Sequence, residues 1–594
     1  MAENSLIHDI LTRTDDRKYE DIISALSEIN RQDHVQLNTV PLFILRNYTI
    51  ESIEHYTKFF GYKYDLKVDV TFSNYDGYLY EILDKSSSLN TTQYNLIFLT
   101  LFLDNIPFAI DDAGYLNSHI VANHMTEVID KLKESTSSII AVSTFLPPLR
   151  SIGLAKNTRS IDYCLKELNQ RIRNFVLRDD RLILIDYERI MLETGFDPAF
   201  DLRYWFMFKS PLSNLFQNLV ARELSSTLAN IKGIFKKVII LDCDNTLWGG
   251  IVGEDGLNGI KLSKNDYPGN IYYCFQEQLL SLQKSGVLLA LCSKNNERDV
   301  LTVIDNHSEC LLKRENLAAW KINWDNKVAN IISLSNELNL NLDSFIFVDD
   351  DSLECERVSR SLPMVEVIQV PKKIYELPTI FRKYNFFNKL YNTKEEENLT
   401  ERYIQQKKRI SELSKYEKIE DYIASLELEV EVGSAHEEEL ARVSQLTQKT
   451  NQFNLTAKRY GVGEIEEIFK NSNYLIIVLK VKDKFGEYGL TGLSILKIHE
   501  KKVEIIEFLL SCRILGRMLE DVLLNEIIKI CIDMLGSTSI LAKYIKTQKN
   551  EQVMKFYDDR GFQCVYSDES RKEYSLGIEA FNDCMIKSIT INRR

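Results

Sequence analysis

At 594 residues the chain has room for three to four domains of about 150 residues each, which excludes a single small module. Its 44% hydrophobic and 27% charged residues exclude a disordered polymer, and 73 basic against 86 acidic side chains leave a net charge of −13. That balance argues against nucleic acid or an anionic membrane surface as a partner.

The strongest early apolar run, residues 96–103, is cut by Asp104, far short of the roughly 20 residues needed to cross a bilayer. The amino-terminal stretch MAENSLIHDILTRTDDRKYE mixes acids and bases where a secretory signal would be apolar, so a cytoplasmic protein is expected. The ten cysteines contain no C-x-x-C pair and read as reduced thiols, and His119 and His124, five apart, miss the i, i+4 spacing of a helical zinc site.

Taken in chain order, short β-rich runs at 41–45, 66–71, 95–103, 139–144 and 182–186 alternate with helix-like stretches such as 50–60 and 158–177. That alternation predicts a parallel sheet flanked by helices. A second alternating block has strands starting near 237, 287, 344 and 365. From about 372 to 424 the chain turns charged and helix-prone, suited to a solvated connector. After 425 the predicted order is strand (LELEVEV), helix (EEELARVSQLTQ), strands at 474–482, 488–497 and 503–511, a helix from 516, a strand at 539–544 and a helix at 549–559. The fold class is therefore α/β for the first two blocks and a mostly antiparallel α+β domain for the third.

The chemistry concentrates in the second block. KKVIILDCDNTLWGG sets Asp242 and Asp244 at the carboxyl end of a hydrophobic strand, two residues apart, so that alternation directs both to one side. Open α/β sheets bind ligands at that end. One carboxylate there can attack phosphorus while its partner protonates the leaving oxygen and then activates water. LLALCSKNN ends a second strand with Ser293, whose hydroxyl suits a phosphoryl oxygen; NWDNKVANI offers Lys327 against transition-state charge; SFIFVDDD ends a third strand with Asp349, Asp350 and Asp351. Clustered acids and a phosphate substrate point to Mg²⁺. The plainer alternative is that these acids cap the helices that follow.

These elements in this order resemble the haloacid dehalogenase (HAD) phosphohydrolase superfamily. DNTLWGGIVGEDG, LCSKNN, NWDNK and FVDDD are similar to the signatures of its FkbH-like branch. The resemblance implies Asp242 as nucleophile and Asp244 as acid/base, with Thr246, Ser293, Lys294, Asn295 and Lys327 around the phosphate. It further implies a Mg²⁺ site of Asp242, Asp349, the Asp244 position through its carbonyl, and Asp350 in support. The run DDDSLECER departs from the DDNP-like sequence of many relatives at Asp351. The span from Thr246 to Ser293 is too short for a large lid and carries the Gly-rich WGGIVGEDGLNG. An open site for a bulky or protein-presented substrate is expected, with a lid from the flanking domains as the alternative.

In the third block VEIIEFLLSCRILGRMLEDVLL runs from strand into turn and helix, with Arg513, Gly516 and Met518 in R-x-x-G-x-x spacing. Amides at such a helix start can hold a pyrophosphate or the phosphate of phosphopantetheine. With Asn550, Tyr557, Gly561 and Phe562 downstream, the segment resembles the GNAT acyltransferase fold. Met518 stands where that family has a small residue, which disfavours tight acetyl-CoA binding. The FkbH-like resemblance extends here through LTQKTNQFNLTAKRY and DKFGEYGLTG. The alternative is a GNAT-shaped domain that only docks a partner. The first 225 or so residues resemble the SGNH-hydrolase-like domain that precedes the HAD domain in FkbH-like proteins. Arg46, Asn47 and Tyr48 follow the first strand where a nucleophilic serine would stand, and FDLRYWFMFKSPLSN lacks the histidine of D-x-x-H. This domain is expected to be catalytically inactive.

The expected domains are 1–230 (SGNH-like), 231–375 (HAD-like with minimal cap), 376–424 (helical connector) and 425–594 (GNAT-like). The resemblance implies conversion of 1,3-bisphosphoglycerate, a small phosphorylated carboxylate, into a glyceryl thioester on the phosphopantetheine of an acyl carrier protein. An enzyme thiol could relay the acyl group, with Cys512 first and Cys243 second, ahead of Cys292. Strand alternation turns Cys243 and Cys292 away from the site unless the strand ends bend. Two alternatives remain: a carrier-independent HAD phosphohydrolase, and a CoA-dependent acyltransferase with a relic HAD site.

Overall fold

The computed structural model describes the chain apart from residues 1–6, 8, 12, 32–36, 113, 150–158, 384–404, 406–411, 413–415, 417, 451, 534–535, 548 and 579–587, and the side chain of Cys512. It divides into two compact units, residues 1–234 with 461–467 and residues 235–460 with 468–594. Most of the expected connector lies outside the described residues.

The first unit is built on a five-stranded parallel sheet of β1 (Asn38–Arg46), β2 (Leu66–Phe72), β3 (Leu96–Thr100), β4 (Ile139–Ser143) and β5 (Leu182–Ile185), in the order β2-β1-β3-β4-β5. Residues of β3 and β4 are buried throughout, as a parallel strand covered on both faces requires. The apolar run expected as a strand to 103 stops at Thr100, because Leu103–Asn105 turns into a 3₁₀ helix. At the carboxyl end of β1 the side chains of Asn47 and Tyr48 are buried and hydrogen-bonded. Asn47 accepts from the Phe102 N–H at 2.7 Å and donates to the Phe102 carbonyl at 3.1 Å. The Tyr48 hydroxyl is bonded to Thr100 Oγ1 at 2.8 Å and to the Tyr187 hydroxyl at 3.1 Å.

The second unit carries two sheets. One is parallel, with β6 (Val238–Leu241), β7 (Leu288–Ser293), β8 (Leu317–Ile322), β9 (Phe345–Asp349) and β10 (Glu366–Gln369) in the order β10-β9-β6-β7-β8. Sequence reasoning passed over β8, LAAWKI, which lies at the edge of this sheet. After β6 the chain lays β7 and β8 on one side, then returns to lay β9 and β10 on the other. That reversal opens a crevice at the carboxyl end of β6, where open α/β sheets bind ligands. The Gly-rich stretch after β6 is a short helix, Val252–Gly259, kinked at Gly256 with φ +68°.

The other sheet is mixed. It runs β17 (Gln563–Ser567), β18 (Arg571–Gly577), β16 (Ser539–Ile545), β15 (Lys502–Leu510), β14 (Gly486–Ile498), β13 (Tyr474–Asp483), β11 (Glu429–Ser434), β19 (Thr590–Arg593), and a two-residue strand, β12 (Phe453–Asn454), pairs with β15. β15 and β16 are parallel and joined through the helix Leu519–Asp533. The helix expected at 549–559 is instead two 3₁₀ turns, Glu551–Val553 and Asp558–Arg560. Gly561 at φ +78° ends the segment, and Asn550 at its start is committed to holding neighbouring backbone.

Candidate active site

Three strand ends converge. Asp242 follows β6, Ser293 ends β7 and Asp349 ends β9, while Lys327 opens the helix Lys327–Leu338, whose cap Asn326 accepts from the Val328 N–H. All four side chains are buried. The Lys327 ammonium donates to Asp242 Oδ1 at 2.8 Å and to Asp349 Oδ2 at 2.6 Å. Ser293 lies beside Asp242 and favours its charged form. The carboxylates of Asp242, Asp349 and Asp350 offer oxygens within 4.8 Å of one another.

Burial pushes the Asp242 carboxyl up to about 6, against the pull of Lys327 and with the push of Asp349. Asp349 is raised by burial too, again opposed by Lys327, and Asp350 by burial and by the charge of Asp242. Three acids thus face one ammonium in a site that disfavours charge. Hard oxygen donors with an uncompensated negative charge fit a Mg²⁺ ion.

Asp244 does something different from its neighbour. Its Oδ1 accepts from the Trp248 indole N–H at 2.8 Å and the Val252 N–H at 3.1 Å, and its Oδ2 from the Asn295 amide at 2.8 Å. The Asp244 carboxylate is turned onto these donors, outside the Asp242, Asp349 and Asp350 group; the resemblance implied the Asp244 carbonyl, not this carboxylate, for the metal. Asn295, expected on phosphate, instead holds Asp244. Lys294, also expected there, donates to Glu354 at 3.0 Å. Thr246 is buried and its hydroxyl has no partner among the described residues. Asp351 caps the helix Ser352–Ser361 by accepting from the Leu353 N–H, the plain capping role its departure from relatives left open.

Trp248 was missed by sequence reasoning; the signal was there in an aromatic donor four residues after Asp244. Trp248→Phe removes one of three donors while keeping an apolar ring. A hydrogen bond to a charged group is worth about 1.5–3 kcal/mol, so kcat is expected to fall roughly 10- to 100-fold with KM nearly unchanged. Steady-state phosphate release checks this, and a change confined to KM would contradict it.

Two of the three candidate cysteine relays, Cys243 and Cys292, are buried. Cys243 is fully buried in the core, and burial pushes its thiol well above the ordinary range. Burial likewise lifts Cys292 to about 12. A thiol so far from ionising is a poor nucleophile. Cys512 opens a short 3₁₀ helix, Cys512–Ile514, and its side chain lies outside the described residues.

The expected pantetheine cradle also changes character. Gly516 and Met518 do take left-handed backbone, at φ +74° and +59°, so the turn forms without a small final residue. Yet the helix start carries Glu520 and Asp521, with Glu520 turned back on its own N–H, and carboxylates there oppose a phosphate. Arg513 donates to Ser511 Oγ at 3.2 Å. Asn550 is fully buried, donating to the carbonyls of Asn454 and Ile545 and accepting from the Thr547 N–H. Tyr557 is buried among Phe556, Phe562 and Tyr574. Both side chains are buried, and the Tyr557 hydroxyl has no hydrogen-bond partner among the described residues.

A buried acid that sequence reasoning did not single out is Glu507 on β15. Its oxygens accept from the Thr456 hydroxyl at 2.6 Å and the Phe508 N–H at 3.1 Å. Burial lifts its carboxyl from 4.5 to about 8. A folded-state value above the unfolded one gives a contribution fully present below about pH 4.5 and lost as the pH rises through about 8. At pH 7 folding must take up a proton at a cost on the order of 3 kcal/mol, which Gln avoids. Glu507→Gln is therefore expected to be the more stable protein at pH 7, with the advantage vanishing near pH 4; urea unfolding at both values checks it.

No protein-family model and no curated protein matches the chain. Among solved structures, the N-terminal part of BF1531 from Bacteroides fragilis, which contains a phosphatase domain and is complexed with Mg, is 24% identical. It aligns over 62% of this chain and 98% of its own at a TM-score of 0.57. The likeness shows a shared fold over that part of the chain. The ribosomal-protein-S18-alanine N-acetyltransferase of Escherichia coli (11% identical, 26% of this chain and 98% of that one, TM-score 0.21) also aligns. So does the spermidine N-acetyltransferase of Vibrio cholerae (14%, 25% and 96%, TM-score 0.21). At such TM-scores these two bear on neither fold nor function. Among the described residues no helix is long and apolar enough to cross a membrane.

Proposed function

We propose that this protein is a Mg²⁺-dependent enzyme of phosphoryl and acyl transfer. In this reading it converts 1,3-bisphosphoglycerate into a glyceryl thioester on the phosphopantetheine thiol of an acyl carrier protein. The observation that carries it is the buried cluster of Asp242, Lys327 and Asp349 at the strand crevice, with Asp244 held separately beside it. Two adjacent carboxylates in different surroundings suit two roles. An oxygen of Asp242 attacks the ester phosphorus, and the glyceryl oxygen leaves with a proton from Asp244. Water then releases phosphate from Asp242 while Asp244 takes the water's proton. Lys327 and Ser293 meet the phosphoryl oxygens in this reading.

Asp242, Asp349 and Asp350 would hold the Mg²⁺, which when bound neutralises charge on the transferring phosphoryl group. The thiol attacks the acyl carbon of the same substrate, forming the thioester and releasing the second phosphate. The FkbH-like motifs support this substrate and the carrier as partner.

The test is phosphate release in Mg²⁺ and after chelation. Release is expected to fall at least about 100-fold with EDTA and to return with Mg²⁺. At 100 times its Kd the ion should also stabilise the fold by about 2.7 kcal/mol. Phosphate release indifferent to chelation would contradict the reading.

A further inference from the structure

Parallel β15 and β16 pair only from Lys502 with Ser539 to Ile505 with Ala542, and then separate. Backbone groups on facing edges of two parting strands need partners, and an opening of this kind accepts an extended ligand that mimics a strand. Here the chain fills it itself. Phe453 pairs with Leu510 and Asn454 with Leu509 in antiparallel register. The Leu455 N–H donates to the Phe508 carbonyl at 3.1 Å, and on the opposite side the Ile545 N–H donates to the Leu455 carbonyl at 2.8 Å. Residues 453–455 thus bond to both strands at once.

Side chains lock the segment further. Asn550 donates to the Asn454 carbonyl at 2.9 Å, and Thr456 donates to Glu507. Asn454 Oδ1 accepts from the N–H groups of Thr456 and Ala457, and Phe453 packs against Phe508 and Phe556. Phe453, Asn454 and Leu455 are all buried. One bond of Asn550, a residue the sequence suggested for a ligand, goes to this segment, and others go to Ile545 and Thr547.

We propose that residues 453–455 are a built-in strand occupying the opening between β15 and β16, so that this domain takes no thioester arm there and the acceptor thiol is delivered to the Asp242 cluster. The second half rests on the function proposed above; the first does not.

Hydrogen exchange of the full chain, read by mass on peptides carrying Leu455 and Ile545, tests the first half with coenzyme A and with a holo carrier protein as probes. Slow exchange in the free protein, changed less than twofold by either probe, is expected. A change of fivefold or more in those peptides on adding coenzyme A or carrier would overturn it. Asn454→Ala supplies the second arm. Faster exchange at Leu455 by about tenfold, with thioester formation on the carrier within twofold of wild type, supports delivery to the central domain. Retained phosphate release with thioester formation lost, in a variant that still folds by circular dichroism, would sink that half. Wild-type protein that releases no phosphate would defeat the proposed function alone and leave the assignment of the opening standing.

Discussion

Asp242→Asn is expected to lower phosphate release by at least about 10³-fold while leaving the fold intact. The amide is nearly the same shape, so the Ser293 contact and the packing of β6 persist. What it lacks is a nucleophilic oxygen. Lys327 keeps Asp349 as a charged partner at 2.6 Å, which limits the structural loss. A carboxylate serving only as a metal ligand would also cost activity, so the rate alone is not decisive. Acid-quenched wild-type protein should carry one phosphoryl group on the peptide containing Asp242, and the Asn variant none. Full activity in the variant would contradict the assignment.

Lys327→Met carries the largest expected effect on stability. Its ammonium is the shared partner of two buried carboxylates, and removing one member of a buried pair typically costs 3–5 kcal/mol. The sign with pH follows from the acids. Burial already raises Asp242 to about 6, and loss of the opposing cation raises it further. A raised acid contributes stability fully present below its unfolded value and lost as the pH climbs through its folded value. The defect should therefore be greatest at pH 7 and smaller near pH 5, where the carboxyls take up protons. Urea unfolding at both values measures this, and an equal loss at the two would show that the ion pair is not its origin.

Much of the central site was legible in the chain. Apolar runs ending in Asp242, Ser293 and Asp349 identify strands and their carboxyl ends, because side-chain alternation and sheet topology act over a few residues. What escaped was set by turns and by distant pairing. Asn295 reads as one more polar residue after Ser293, and only the path of the turn brings it to Asp244. The same turn closes Trp248 onto that carboxylate. The wedge at 453–455 has too short a strand for any period to show, and its partner on β15 lies more than fifty residues on. KNEQVMKFYDD has helical composition, but the duty of Asn550 to the wedge and the left-handed Gly561 override that local preference. The cysteines were readable in part: alternation already turned Cys243 and Cys292 inward, and burial shows why neither thiol ionises.

Glyceryl transfer is the central claim, and the intact mass of the carrier tests it most directly. Wild-type protein with Mg²⁺, 1,3-bisphosphoglycerate and a holo carrier protein should add one glyceryl group to the carrier, whereas Asp242→Asn should leave it phosphorylated or unloaded. Free phosphate with no adduct on either protein would contradict the account and leave a hydrolase.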